Sequence, residues 1–243
     1  MRKTILSLFK RIFKRLRSTS KYKEHIKKLY EEKDYLEAYS EHTNLRVERS
    51  PHKAIGGRWE MMGNLQFDFL VKNGLKPQHI MLDIGCGTLR GGRHFIRYLN
   101  TGNYSGIDIS HKAIEYGKQL VQEESLLDKH PRLLVSKNKD LNFAEFDGEI
   151  FDYLLAQSVF THLKPEHIEE CFQHIGHIMK LDSVFFFTFN KAFKFKQTSL
   201  KGFRYPFSFF ESLADRYGFR LEDYSNEYKH HPTGQHVVKM IKK

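Results

Sequence analysis

The chain has 243 residues, of which 40% are hydrophobic and 14% aromatic, with 21 Phe and 12 Tyr. That is enough apolar material for one sizeable α/β core and excludes a wholly disordered protein. The net charge of +11 is unevenly placed: residues 1–33 hold 12 Lys and Arg against 3 Asp and Glu, whereas residues 34–243 hold 28 against 26. The bulk of the chain is close to neutral, so the basic character belongs to an N-terminal extension and does not mark the whole protein as a nucleic-acid binder.

In the extension, Ile5, Leu6, Leu8, Phe9, Ile12, Phe13 and Leu16 recur at helical spacing over an arc of about 160°, opposite Lys and Arg side chains. No acid precedes Glu24. A basic amphipathic helix over residues 2–17 suits an anionic membrane surface. An organelle presequence shares this pattern, and a helix capping the domain is the third reading. Residues 19–50 read as polar and helical, with Tyr30, Tyr35, Leu36 and Tyr39 available for docking. The extension is read over residues 1–54 and the main domain over residues 55–243.

The first helix of the main domain is predicted over Trp59–Lys72, stopped by Asn73-Gly74. Strand Ile80–Ile84 follows, then a glycine-rich turn and a helix through His94–Leu99. Strand Tyr104–Ile109 leads to a helix capped by Ser110. Further strands are read at Leu133–Val135, Phe151–Ala156 and Ser183–Phe189, with helices over Pro165–Met179 and Pro206–Tyr217. Strands Leu221–Tyr224 and Val237–Ile241 close the chain across a loop holding Pro232 and Gly234. Strands separated by helices imply a parallel sheet covered on both faces, and the last two strands an antiparallel pair at one edge. No apolar run approaches the roughly 18 residues of a membrane span. Cys86 and Cys171 cannot form a disulfide framework; with no signal-peptide pattern, the expected location is cytoplasmic, with membrane association through the extension.

The turn reads Leu82-Asp83-Ile84-Gly85-Cys86-Gly87-Thr88-Leu89-Arg90-Gly91-Gly92. A dinucleotide fingerprint needs glycine where Arg90 stands. Asp83, two residues before the first glycine, is a poor neighbour for a pyrophosphate and a good one for an ammonium group. Asp108 ends the second strand, where a carboxylate can accept both hydroxyls of a ribose. A ligand with a ribose, an amine and no phosphate is implied: S-adenosylmethionine fits, NAD does not. Cys86 reads as a small residue in a tight turn. His167, Cys171 and His174 share a helix face, but the stripe of Ile168, Phe172, Ile175 and Met179 beside them points to a helix packed on the sheet, not to a metal site.

On Leu82–Gly87, on Gly106-Ile107-Asp108 and on Phe151–Ala156, residues 55–243 resemble the class I S-adenosylmethionine-dependent methyltransferases. Gln157-Ser158-Val159-Phe160-Thr161-His162-Leu163 resembles a variant common among their small-molecule members. The resemblance implies a Rossmann-like α/β fold of seven strands in the order 3-2-1-4-5-7-6, the last antiparallel. It also implies cofactor contacts at Asp83, Gly85, Cys86, Gly87, Asp108, Ile109 and Gln157, with Asp140 near the adenine; an ordinary capping role for Asp140 stands beside that. The Asn/Asp-Pro-Pro-aromatic signature of many N-methyltransferases is replaced by Ala156-Gln157-Ser158-Val159-Phe160, which disfavours adenine or glutamine as acceptor.

Ligands of open parallel sheets gather beyond the carboxyl ends of the strands. The segments expected there, Gln157–His162, Asn190–Tyr205 and Glu227–Gln235, are rich in Phe, Tyr, His and Lys and suit an acceptor pocket, or equally a structural cover for the sheet edge. Methyl transfer to a hydroxyl needs a base, and His162 is the first candidate, His231 the second. The expected acceptor is a small molecule, glycan or lipid-linked intermediate. The rivals are an RNA methyltransferase using residues 1–33 as a basic arm and a noncatalytic cofactor-binding partner module.

Overall fold

A computed structural model describes residues 20–228 and 230–243. The amphipathic segment expected at residues 2–17 lies outside the described residues, among which no helix is long and apolar enough to cross a membrane.

Helical residues 20–32 (α1) lead into α2 (Tyr35–Arg49), α3 (Pro51–Ala54) and α4 (Trp59–Lys72). The main alternation follows: β1 (Met81–Ile84), α5 (Gly92–Tyr98), β2 (Tyr104–Asp108), α6 (His111–Glu123), β3 (Arg132–Val135), β4 (Phe151–Ala156), α7 (Pro165–His174) and β5 (Met179–Phe189). A short ribbon, β6 (Lys196–Ser199) and β7 (Gly202–Arg204), precedes α8 (Phe207–Tyr217), β8 (Phe219–Asp223) and β9 (His236–Lys242). Seven strands form one sheet in the order β3-β2-β1-β4-β5-β9-β8, with β9 antiparallel to both neighbours. With the ribbon strands set aside, this is the expected order: β9 inserts between β5 and β8.

The sheet is central because its strands are apolar on both faces. Phe185, Phe187 and Phe189 point to the side of α7 and α8, packing with Phe160, Phe172 and Phe210. Phe186, between them, points to the opposite side and joins Phe69, Phe95 and Leu155. The period of two divides one phenylalanine run between two cores, and each fully buried ring contributes about 1.5–3 kcal/mol.

Two local expectations change. The helix expected to reach Met179 ends at His174, continues as a tight turn over Ile175–Ile178, and gives Met179 to β5. The last turn is tightened as Ile175 and Ile178 are drawn under the sheet edge. The Asn190–Tyr205 segment is not simply a loop but carries the β6–β7 ribbon, anchored by Phe203 and Tyr205, both buried in the core. Their burial takes the cover reading of this segment; Phe193, in contrast, stands 99% exposed.

The N-terminal helices reach the carboxyl edge of the sheet. Ser40 Oγ donates to the Ile109 carbonyl (2.9 Å), and Asn44 Oδ1 accepts from Ser110 Oγ (2.7 Å). Ser110 itself caps α6 as expected, its Oγ accepting from the Ala113 amide. Tyr35 and Leu36 pack against the core under α7, so α2 roofs the end of β2.

Candidate active site

The β1–α5 turn reverses the chain tightly. Gly85 and Gly87 have φ of +67° and +56°, which L side chains rarely adopt. A Cβ on Gly85 would also fall 2.5 Å from Val159 Cγ2, so the turn and the loop after β4 fit only without that carbon. The amides of Gly85 and Cys86 both donate to the Ile107 carbonyl, locking the turn to β2.

Asp108 ends β2 beside this turn. Its Oδ2 accepts from the Gly87 amide (2.9 Å) and its Oδ1 from the Ser110 amide (2.8 Å). The carboxylate is therefore oriented by backbone, with lone pairs left on both oxygens. Asp83 is 5% exposed and has one protein partner, Tyr104 Oη, at 2.8 Å. Burial pushes its carboxyl up to about 7, outweighing the Tyr104 hydrogen bond. A buried carboxyl so poorly compensated is suited to a cationic ligand. Cys86 is buried and its thiol is pushed well above its ordinary value, chiefly by burial, so it is not poised as a nucleophile.

These groups line one cavity of about 730 Å³, within the range of small-ligand sites. It collects Asp83, Gly85, Cys86, Gly87, Asp108, Ile109, Asp140, Gln157, His162 and His231, so all the residues singled out in the sequence come together there. Asp140 is not a helix cap; its Oδ2 accepts from Asn142 Nδ2. Gln157 is held at both ends of its amide: Oε1 accepts from Tyr228 Oη (2.8 Å), and Nε2 donates to Gln235 Oε1 (3.2 Å).

The two histidines differ in the nitrogen they offer. His162 Nδ1 lies 2.6 Å from the Lys201 carbonyl, which can only accept, so Nδ1 carries the proton and Nε2 the free lone pair. Burial and the nearby charge of Lys201 lower its pKa to about 4, keeping the ring neutral near pH 7. His231 Nδ1 faces the Thr233 and Gln235 amides at 3.3 and 3.4 Å, which can only donate to it. Its Nε2 lies 3.4 Å from Gln157 Nε2, itself a donor, so both ring nitrogens face donors; burial and Arg90 lower this ring also to about 4.

The sequence reading passed over the contribution of α2. Leu36, Tyr39, Thr43 and Arg46 all line the cavity, at steps of three and four residues along one helix face. That spacing was open to inspection, but their polarity hid a stripe that faces a cavity rather than a core. Lys201, in the turn between β6 and β7, was also passed over; nothing local in the sequence distinguishes it from neighbouring lysines.

Residues 81–182 match a family described as methyltransferase domain. Among solved structures, magnesium protoporphyrin IX methyltransferase from Synechocystis, with bound S-adenosylmethionine, superposes with a TM-score of 0.64 at 15% identity, covering 87% of this chain and 98% of that one. A SAM-dependent methyltransferase from Leishmania major gives 0.65 at 15% identity, covering 88% and 85%. A TehB-like SAM-dependent methyltransferase from Corynebacterium glutamicum gives 0.57 at 20%, covering 85% and 99%. These likenesses extend the fold well beyond the matched segment. Residues 81–182 thus match a methyltransferase domain, and the strand order completed by β9 between β5 and β8 gives the whole sheet the fold of the S-adenosylmethionine-dependent methyltransferases.

Proposed function

We propose that the enzyme methylates a hydroxyl group of a small-molecule, glycan or lipid-linked acceptor, with His162 as the general base. The observation that carries this reading is the fixed tautomer of His162, whose Nδ1–H is spent on the Lys201 carbonyl. S-adenosylmethionine, when bound, supplies an electrophilic sulfonium methyl group. Asp108 would accept the ribose hydroxyls, Asp83 would meet the ammonium of the methionine, the glycine turn would admit both without side-chain obstruction, and Asp140 would serve the adenine.

His162 Nε2 would take the proton of the acceptor hydroxyl, making its oxygen nucleophilic toward the methyl group that the cofactor would supply. A base of pKa about 4 is weak, but it is neutral at working pH, and its ring is set by Lys201 and by Tyr39, whose ring centroid is 5.6 Å away. Orientation of the oxygen supplies most of the acceleration. His231, whose two ring nitrogens both face donors of the protein, does not serve as the base.

His162→Gln tests the assignment. Once an acceptor that the wild type methylates is in hand, the rate should fall by about 10²–10⁴-fold, with S-adenosylhomocysteine affinity unchanged. A rate within threefold of wild type would refute the role of His162.

Residues 2–17 support work at an anionic membrane surface, with their apolar arc in the acyl boundary and their cations among the headgroups. The charge asymmetry of the chain carries this second element of the proposal.

A further inference from the structure

Six cations line the cavity, among them Arg204 and Lys139, the latter paired with Glu37; the four that matter here fall into two neighbourhoods. Arg58 and Arg90 lie toward the glycine turn, where both charges act on His231, and Arg90 Nη1 is occupied by the Ile55 and Gly57 carbonyls at 2.8 and 3.0 Å. Arg46 and Lys201 lie on the other side, with Tyr39 and His162. Lys201 Nζ is 5.3 Å from the centroid of the Tyr39 ring. Arg46 stands seven residues beyond Tyr39 on the same face of α2, and its guanidinium donates to the Lys53 carbonyl (Nη2, 3.1 Å).

Among the described residues neither Arg46 nor Lys201 forms an ion pair with a carboxylate; the paired lysines and arginines of this chain are elsewhere. Two like charges lining one cavity, one of them largely buried, are costly unless a ligand neutralises them. The cost is visible in Lys201, lowered to about 7 by burial and then by Arg46. Thr43 Oγ1, on the α2 turn between Tyr39 and Arg46, is buried without a partner. An ammonium, a guanidinium fork and a free hydroxyl beside the base form a donor set that a neutral acceptor would leave unmatched.

We infer that Arg46 and Lys201 form an anion subsite, so that the acceptor carries a carboxylate or phosphate group close to the hydroxyl it presents to His162. This rests on the proposed acceptor side of the cavity, but it is read by binding and not by turnover. The guanidinium fork and the ammonium would engage the oxygens of the anion together, fixing the acceptor at a second point and leaving its hydroxyl to be positioned by His162. Arg58 and Arg90, by the turn, remain for the carboxylate of the cofactor.

The test is ligand-observed NMR with D-glucuronate, D-glucose and inorganic phosphate as probes, on the full chain saturated with S-adenosylhomocysteine so that the cofactor's own carboxylate is already placed. Glucuronate and phosphate should bind, with glucose at least tenfold weaker than glucuronate. Lys201→Gln and Arg46→Gln should each weaken glucuronate at least tenfold with S-adenosylhomocysteine affinity unchanged, and Lys201→Arg should restore most of the loss. Displacement of glucuronate by phosphatidylglycerol vesicles would assign the anion to a lipid headgroup; its retention beside them would assign it to a soluble acceptor. Equal binding of glucuronate and glucose, or unaltered glucuronate binding in both Gln variants, overturns the subsite. So does an equal loss of S-adenosylhomocysteine affinity in Arg46→Gln, which would give that cation to the cofactor. If glucuronate binds as expected while His162→Gln retains methyl transfer, the subsite stands and the base assignment falls.

Discussion

As the proposed partner of the cofactor's ammonium group, Asp83 would link cofactor binding to pH. It faces Tyr104, whose hydroxyl donates to it, the charges of Asp108 and Arg90, and the Cys86 thiol. Burial dominates and holds the carboxyl near 7 rather than at its ordinary 3.8, a difference worth about 4 kcal/mol against the ionised form. An ammonium group placed beside it favours the ionised form and returns the carboxyl toward the ordinary range. Binding therefore releases a proton wherever the free carboxyl is protonated. With the free value near 7 and the carboxyl ionised in the complex, affinity for S-adenosylhomocysteine should rise about tenfold from about pH 6 to about pH 8. About half a proton should be released at about pH 7. Titration calorimetry in two buffers of different ionisation heat measures both. Lys201 also titrates near 7, and Asp83→Asn separates the two by abolishing only the Asp83 contribution. The same substitution should stabilise the cofactor-free protein. A carboxyl raised in the folded state gives stability that is full below about pH 4 and lost as pH rises through about 7, so at about pH 8 the asparagine variant should gain up to about 4 kcal/mol. A wild-type affinity that does not change over this range, or the same slope in Asp83→Asn, would refute the argument.

Two further outcomes are expected. Asp108→Ala should lower S-adenosylmethionine affinity by about tenfold or more, because it removes both ribose acceptors as well as the oxygens that hold the Gly87 and Ser110 amides; calorimetry measures this, and NAD should not compete. Phe9→Glu with Phe13→Glu should weaken co-sedimentation with anionic vesicles, as should a chain beginning at residue 34, with cofactor affinity unchanged; equal pelleting of all three proteins would refute the membrane reading, and binding of RNA but not of vesicles by the wild type would favour the basic arm.

The sheet was legible because its information is local. Each strand is an apolar run of the right length, each helix has a periodic stripe or a cap, and Ser110 caps α6 from three residues away. The convergence of the proposed cofactor residues on one cavity was legible for the same reason: Asp83, Gly85, Gly87 and Asp108 belong to two consecutive strand ends, and parallel pairing of β1 with β2 brings such ends together. Where helix α7 stopped was not legible, because Ile175 and Ile178 satisfy a helical stripe and a buried turn equally well.

The acceptor half depended on contacts far apart in sequence. His162 takes its tautomer from the carbonyl of Lys201, 39 residues later, and Tyr39 meets both only when α2 folds back over the sheet edge. Sequence alone ranked His162 before His231 without a reason from partners; the tertiary structure supplies one, since one Nδ1 meets a carbonyl and the other meets amides. Proton position on an imidazole is set by its partner, and the partner is chosen by the packing of distant segments. The residues determined the sheet and the acids around the glycine turn; the folded arrangement decided which histidine holds a free lone pair and which cations are left without a counter-charge.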